Sequence, residues 1–374
     1  MTVVPGKSDI DRGAQPSTTQ SKFGSYIHSL DGIRAIAVLI VVLSHTGYGA
    51  VVKGRPAVTV FFFLSGYLIT TLMVKEYEKK GTIEIPKFYG RRFVRLLPAV
   101  LISLPAIYLA TAAGLIPGTA RLSTLFGQLF YLANYQEVFV ENIQRPAGTE
   151  VLWSLAIEEH FYILYPLLLL PLLKRFSLKQ VFGILAALCA ATLAWRFYLA
   201  VQPDFNPERN ALSSDTRADS ILFGCMLALT KITHINREKV DNAKLPLHGF
   251  VLFGLGALAF LFTFVMTNEL QRETIRYTIQ GLALFPLLYY PIVYHRHRLF
   301  SFLENSVLKK IGVFSYVIYL VHFPLYHGLV ANIEVLANSR EFATIATIAV
   351  SCIIAWALDV FVDGPLHKVR ANLR

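Results

Sequence analysis

The sequence predicts an all-α, polytopic transmembrane helix bundle, and three observations lead to that fold class. Hydrophobic residues make up 55% of the 374 positions and charged residues only 16%, against about 25% charged residues in a typical soluble domain. Apolar runs long enough to cross a bilayer recur along the whole chain. Lys and Arg residues are concentrated in every second connection between these runs, which is the usual charge asymmetry of a multi-pass membrane protein.

Ten apolar runs approach the length of about twenty residues that a spanning helix needs. The sixth is the shortest, and a further apolar stretch at 123–135 is predicted to be a re-entrant or interfacial helix. The ten predicted spans lie at residues 30–48, 57–74, 94–114, 153–173, 181–200, 219–231, 249–267, 276–294, 311–331 and 342–362.

The positive charges give the orientation of these spans. If the N-terminus is cytoplasmic and the spans alternate, the inner segments carry 24 Lys and Arg residues and the outer loops carry 9. The positive-inside rule therefore predicts that both termini are cytoplasmic. The net charge of +11 is then a topology signal with some attraction to anionic lipid, and no nucleic-acid partner is expected.

The N-terminal segment differs in composition from the rest of the chain. Residues 1–23 are polar and lack the apolar core of a signal peptide. We expect them to form a disordered cytoplasmic tail. Residues 24–374 are then one transmembrane domain.

The three cysteines do not indicate a metal or redox site. Cys189, Cys225 and Cys352 each lie inside an apolar run, and their spacing is not that of metal ligands. We expect them to be small buried residues, and no metal is predicted.

Two ionisable residues in the first span raise the question of function. Arg34 and His45 are eleven residues apart, so on a helix they share a face and are separated by about 16 Å. Ionisable groups inside a membrane are expensive and are often functional. The alternative is that Arg34 snorkels to the interface and His45 is a neutral core residue.

The fourth span contains a second group of such residues, in "WSLAIEEHFYILYP" at 153–166. We predict that Glu158 faces the bundle, pairs with His45 and stabilises its imidazolium form. Glu159 and His160 are adjacent, and a packing role for either of them is as plausible as a chemical one.

Basic and polar residues at the ends of other spans complete the candidate set. Arg92 and Arg95, in "KFYGRRFVRLLP", are three residues apart and suit phosphate recognition, although arginines at this place could simply set topology. Acidic and basic residues at an outer boundary are predicted to form an ion-pair network, with acceptor binding as a second interpretation. A late span carries two histidines, of which His322 is the deeper, and we assign His322 to the same structural or acceptor-side network. The residues at that boundary are Asp215, Arg217 and Asp219.

Taken together, these stretches resemble the acyltransferase-3 family, the bacterial membrane O-acyltransferases that modify surface sugars. The resemblance is carried, in family order, by "LDGIRAIAVLIVVLSH", "FFFLSGYL", "GRRFVRLLP", "WSLAIEEHFY", "DTRADSILFGCMLA" and "YVIYLVHFPL". It implies a bacterial inner-membrane enzyme of the type without a fused esterase-like domain.

The resemblance also implies roles for particular residues. Arg34 and His45 match the arginine–histidine motif of the first span, and His45 would be catalytic together with Glu158. Arg92 and Arg95 match the arginine pair that binds donor phosphates, and Arg34 would bind the donor with them.

The expected reaction moves an acyl group from cytoplasmic acyl-CoA to a glycan hydroxyl. The co-substrate is acetyl-CoA or succinyl-CoA, with no bound cofactor, and the acceptor is an exopolysaccharide, lipopolysaccharide or lipid-linked oligosaccharide. Transfer can be direct or can pass through an acyl-histidine. The alternative function is a proton-coupled transporter or flippase, in which buried His and Glu residues relay protons. Oligomeric state cannot be read from the sequence.

Overall fold

The fold is an all-α bundle, as the sequence predicts. The computed structural model describes residues 27–230 and 245–366, and within them the only β pairing is an isolated bridge between Gly118 and Pro146. The predicted tail at 1–23 and the C-terminal residues 367–374 lie outside the described residues. The placement of the termini therefore stays a prediction.

Fifteen α-helices occur in the described part of the chain. Each long helix coincides with one of the ten predicted spans, and the short ones connect them. In chain order they are α1 (His28–Leu43), α2 (Gly54–Lys80), α3 (Ile85–Ala112), α4 (Leu122–Leu129), α5 (Ala133–Phe139), α6 (Leu152–Arg175), α7 (Leu178–Ala200), α8 (Pro207–Leu212), α9 (Ser214–Leu229), α10 (Leu247–Phe262), α11 (Glu269–Glu273), α12 (Ile275–Val293), α13 (Ser306–Asn332), α14 (Glu334–Asn338) and α15 (Arg340–Leu358).

Seven of the described helical segments are long and apolar enough to cross a membrane. The other three predicted spans are helices too, but α9 and α10 have 16 residues each and α12 has 19. Most of α9 is buried among other helices, so protein surrounds much of it. The predicted count of ten spans remains a prediction.

Two helix pairs form the centre of the bundle, α1 with α13 and α2 with α9. The second pair packs very closely because Gly66 and Gly224 lie at the crossing: a Cβ on Gly66 would collide with the carbonyl of Ile221, and one on Gly224 with the carbonyl of Phe63. Small residues permit such backbone contact between membrane helices. Gly66 and Gly224 therefore allow the close packing of α2 and α9.

The helices α1 and α13 run parallel, and this places the ionisable residues. Arg34, near the start of α1, contacts Ser315, whereas His45, just beyond its end, contacts His322 on the same partner helix. Arg34 and His45 therefore share a face, as their spacing predicts. We name the two ends of the bundle by these residues, the Arg34 end and the His45 end.

Candidate active site

His45 lies where the first helix widens. After α1, residues Ser44–Tyr48 form a turn of π-helix, and Gly47 has a positive φ of 91°, a conformation that glycine adopts without strain. Arg340 at the start of α15 donates to the carbonyl of Gly47 over 3.1 Å. This contact holds the end of the turn from which the imidazole of His45 projects.

The ring of His45 is hydrogen-bonded to a second imidazole. His45 Nδ1 lies 2.9 Å from His322 Nε2, and His322 Nδ1 lies 2.8 Å from the carbonyl oxygen of Tyr319 and 3.1 Å from that of Ile318. A backbone carbonyl only accepts, so His322 Nδ1 must carry a proton. In the neutral ring Nε2 is then an acceptor, and His45 must donate its own Nδ1–H to it.

This chain of hydrogen bonds fixes the tautomer of His45. With the proton on Nδ1, the Nε2 atom carries a lone pair. Among the described residues that nitrogen has no hydrogen-bond partner. Phe323 stacks on the ring at a centroid distance of 4.4 Å and an angle of 14°, which limits rotation. The arrangement is that of an oriented general base or nucleophile.

In the part of the chain that the structure describes, Arg34 and Arg92 keep N–H groups that make no hydrogen bond to protein. Arg34 donates its Nε–H to Ser315 Oγ over 3.2 Å. The guanidinium carbon of Arg92 lies 4.1 Å from the ring centroid of Tyr162, a cation–π contact that leaves the planar edge accessible for hydrogen bonding. Arg95 is exposed. Two partly buried guanidinium groups with unused N–H groups form a suitable environment for phosphate oxygens.

Glu158 belongs to this arginine cluster. Its two carboxylate oxygens lie 3.2 Å from the hydroxyls of Ser65 and Tyr162. Arg34 and Arg92 are close enough to interact with its charge. The predicted pairing of Glu158 with His45 is wrong, since the structure pairs His45 with His322 instead.

Depth in the bundle explains why Glu158 and His45 do not meet. The hydroxyl of Tyr319 bonds the carbonyl of Val151 over 3.0 Å, which aligns α13 with antiparallel α6. From that level Glu158 is seven residues, or about 10 Å, toward the Arg34 end, while His322 is three residues, or about 4.5 Å, toward the His45 end. The two sites are thus offset by about 15 Å along the bundle.

His160 braces the hairpin of α4 and α5. Its Nδ1 lies 2.7 Å from Ser214 Oγ, and its ring is close to the backbone of Tyr131. Tyr131 has a φ of +57°, a strained conformation for a bulky residue, and its hydroxyl is near that of Tyr316. The sequence places a short helix here but gives no sign of the strained tyrosine.

The three residues at the outer boundary do not pair with one another as the sequence suggests. Asp215 binds Arg209 through two hydrogen bonds of 2.8 and 2.6 Å and accepts from Trp195 over 2.7 Å. Partial burial raises the pKa of Asp215, but its hydrogen bonds to Arg209 and Trp195 outweigh this, so the pKa lies below its ordinary value.

The other two members have separate partners. Asp219 forms a fully buried, bidentate pair with Arg196, at 2.8 and 2.6 Å. Arg217 is also fully buried, but its guanidinium carbon lies 3.9 Å from the ring centroid of Tyr277 and its hydrogen bonds go to neutral oxygens, among them Thr59 Oγ1 at 3.0 Å. The predicted ion-pair network is thus found in part, since Asp215 and Asp219 are in ion pairs, but with Arg209 and Arg196 and not with Arg217. Both cations are sealed in protein, which identifies them as packing elements near the His45 end.

No group of three or more His, Cys, Asp and Glu residues in the described ranges is placed to hold a metal ion.

The sequence matches a family of acyltransferases over most of its length. The family model described as an acyltransferase domain matches residues 27–360. The chain therefore belongs to the acyltransferase-3 family, and the family predicted from the sequence is confirmed.

Several similar proteins are named as O-acetyltransferases. The peptidoglycan O-acetyltransferase OatA of Listeria monocytogenes is 31% identical over 361 residues, which are 92% of this chain and 56% of that protein. A putative O-acetyltransferase of Staphylococcus aureus is 30% identical over 365 residues, 94% of this chain and 59% of the relative. The putative peptidoglycan O-acetyltransferase YrhL of Bacillus subtilis is 30% identical over 361 residues, with shares of 91% and 55%. The chain thus spans little more than half the length of these relatives. No solved structure matches it at a significant level.

Proposed function

We propose that this chain is a bacterial inner-membrane O-acyltransferase that moves an acetyl group from acetyl-CoA to a hydroxyl of a cell-envelope glycan. The observation that carries the proposal is the oriented imidazole of His45, whose Nε2 lone pair is set by His322. The relatives are named as O-acetyltransferases, two of them of peptidoglycan, which favours acetyl over succinyl and peptidoglycan among the glycans.

In the proposed reaction His45 acts twice through the same nitrogen. Its Nε2 takes the proton of the acceptor hydroxyl as the oxygen attacks the thioester carbon. The C–S bond then breaks, and the thiolate of CoA takes the proton back from Nε2. A positioned general base of this kind contributes about 10²- to 10⁴-fold to the rate.

The donor would lie between the two ends of the bundle. Arg34 and Arg92 offer N–H groups for its phosphates, and the carboxylate of Glu158 is close enough to interact with the charges of both arginines. The separation of about 16 Å between Arg34 and His45 suits an elongated donor, with its charged part at one end and its thioester at the other.

The same hydrogen bonds count against a proton-coupled transporter. A proton that passed from His45 to His322 would have to leave through His322 Nδ1, which is bonded to the carbonyls of Ile318 and Tyr319. A carbonyl oxygen does not take up and pass on a proton at ordinary pH. The pair therefore suits orientation of one imidazole better than a relay.

The decisive experiment uses the full-length chain in detergent or liposomes. Radiolabelled acetyl-CoA and a soluble glycan are supplied, and acetylated glycan is measured for wild type, His45→Ala and His248→Ala, a control histidine exposed on α10. We expect His45→Ala to lose about 10²- to 10⁴-fold in turnover, with unchanged thermal protection by acetyl-CoA. Normal turnover in His45→Ala, or no protection of wild type by acetyl-CoA, would overturn the proposal.

A further inference from the structure

At the His45 end, the ring of Phe323 packs against two imidazoles, those of His45 and His327. The Phe323 centroid lies 4.4 Å from that of His45 and 4.6 Å from that of His327, one turn further along α13. The two imidazoles are therefore within about 9 Å of each other. They are also near enough for their charges to interact.

Both imidazoles have nitrogens without a protein partner. In residues 27–230 and 245–366, His45 Nε2 and both ring nitrogens of His327 make no hydrogen bond, although both side chains are partly buried. Imidazole nitrogens that no side chain occupies can donate to or accept from a hydroxyl group of a ligand.

The loop before α6 is fixed to the same turn of α13. Gly148 has a φ of +86°, and a Cβ at that position would collide with the backbone of Phe323 and Pro324. This contact brings Glu150 within electrostatic reach of His327. The Glu150 side chain is 37% exposed, and its other neighbour is Arg145, at 3.6 Å.

These groups select the chemistry of a ligand. Two imidazoles and a carboxylate offer hydrogen-bond donors and acceptors, so they suit the neutral hydroxyl groups of a ligand. Phe323 lies between the imidazoles, and the part of its side chain that they leave exposed is apolar. A sugar ring combines an apolar C–H face with hydroxyls around its rim, and recognition sites typically pair apolar contact with a few placed polar groups.

We propose that His327, Glu150 and Phe323 form the acceptor subsite, which binds a sugar ring of the glycan beside the hydroxyl that His45 deprotonates. The inference rests on the proposed function and specifies the substrate side of the same site. The subsite is at the His45 end, away from the arginines assigned to the donor. The donor and the acceptor would then approach His45 from opposite ends of the bundle.

The test uses the full-length chain with acetyl-CoA and a soluble β-1,4-linked N-acetylglucosamine tetramer. Because loss of one hydrogen bond is involved, we expect His327→Ala to raise the KM for the tetramer by roughly five- to tenfold. The kcat at saturating tetramer and the KM for acetyl-CoA should stay within about twofold of wild type. His327→Gln, whose amide can donate and accept, should recover part of the loss, and His248→Ala should match wild type.

A binding measurement separates this inference from the proposed function. The tetramer alone should raise the Tm of wild type and of His248→Ala, and should raise that of His327→Ala clearly less at the same concentration. If wild type binds the tetramer in this way but transfers no acetyl group, the subsite stands and the proposed function falls. The subsite is overturned if wild type does not bind the tetramer. It is also overturned if His327→Ala keeps the wild-type KM for the tetramer, or if the KM for acetyl-CoA rises equally.

Discussion

Replacing His322 tests whether a hydrogen bond orients the imidazole of His45. In His322→Phe the new ring keeps roughly the shape of the old one but cannot accept from His45 Nδ1, which now donates over 2.9 Å. In His322→Gln the side-chain oxygen can still accept from His45, while the amide N–H₂ can donate to the carbonyl of Tyr319. The two variants differ in the presence of an acceptor at a site that is fully buried in the protein.

The size of the effect follows from what the Phe variant leaves behind. The Phe variant leaves the Nδ1–H of His45 without a hydrogen-bond partner, and an unpaired buried donor costs about 1–3 kcal/mol of free energy. The tautomer with its lone pair on Nδ1 then becomes favourable, and in it Nε2 is protonated and cannot act as a base. If the whole penalty falls on the reactive form, kcat falls by about 5- to 150-fold, at about 1.4 kcal/mol for each factor of ten. The Gln variant should lose less than about tenfold.

The assay is acetyl transfer by the purified, full-length variants at saturating glycan, with KM for acetyl-CoA measured in parallel. A positioning role predicts a lower kcat with an unchanged KM for the donor, and recovery in His322→Gln. A general loss of packing would instead lower Tm and the amount of active protein in both variants. If His322→Phe has wild-type kcat in a well-folded protein, the orientation of His45 by His322 is refuted.

Three further predictions follow from other clusters. Arg92→Ala should raise the KM for acetyl-CoA roughly tenfold or more, since hydrogen bonds to charged groups are worth about 1.5–3 kcal/mol. Arg95 is exposed, and Arg95→Ala should have a smaller effect. Wild-type KM values in both variants would indicate that the two arginines only set the membrane topology. Asp219→Asn breaks a fully buried ion pair and should lower the free energy of unfolding by about 3–5 kcal/mol. Asp215→Asn breaks a partly exposed pair and should lower it by about 1 kcal/mol or less. Comparable Tm values for the two variants would contradict this prediction. Burial raises the pKa of Glu137 from 4.5 to about 7, an effect that Arg145 opposes and neighbouring carboxylates support. Between these two pH values the folded chain keeps a proton that the unfolded chain loses, so the Tm of wild type should fall as the pH rises from 4.5 to 7. Glu137→Gln should flatten that slope.

The helices could be predicted from the sequence because hydrophobic length and charge placement act locally along the chain. The structure has a helix at every predicted span, and 123–135 falls on the short α4–α5 hairpin. Hydrophobic length could not predict whether the short helix α9 spans the membrane. Its residues are buried by neighbouring helices, and a helix that meets protein instead of lipid need not match the bilayer.

The candidate site was only partly predictable, for a geometric reason. The spacing of Arg34 and His45 within one helix fixes their common face, and the structure confirms it by placing α13 against both. His322 is 277 residues from His45, and no local pattern gives the register between two helices so far apart in sequence. The same missing register led to the wrong pairing of Glu158.

The offset between the two polar clusters has a consequence for how mutations combine. His45 and His322 share one hydrogen bond, so once His45 is removed its orienting partner has nothing left to orient, and His45→Ala with His322→Phe should be scarcely worse than His45→Ala alone. Glu158 lies about 15 Å away along the bundle and bonds neither imidazole, so its effect should add to that of His322 within about 0.5 kcal/mol. If Glu158→Gln and His322→Phe instead mask each other in kcat, the carboxylate acts through the imidazole pair, and the division of this bundle into a donor end and a reacting end is incorrect.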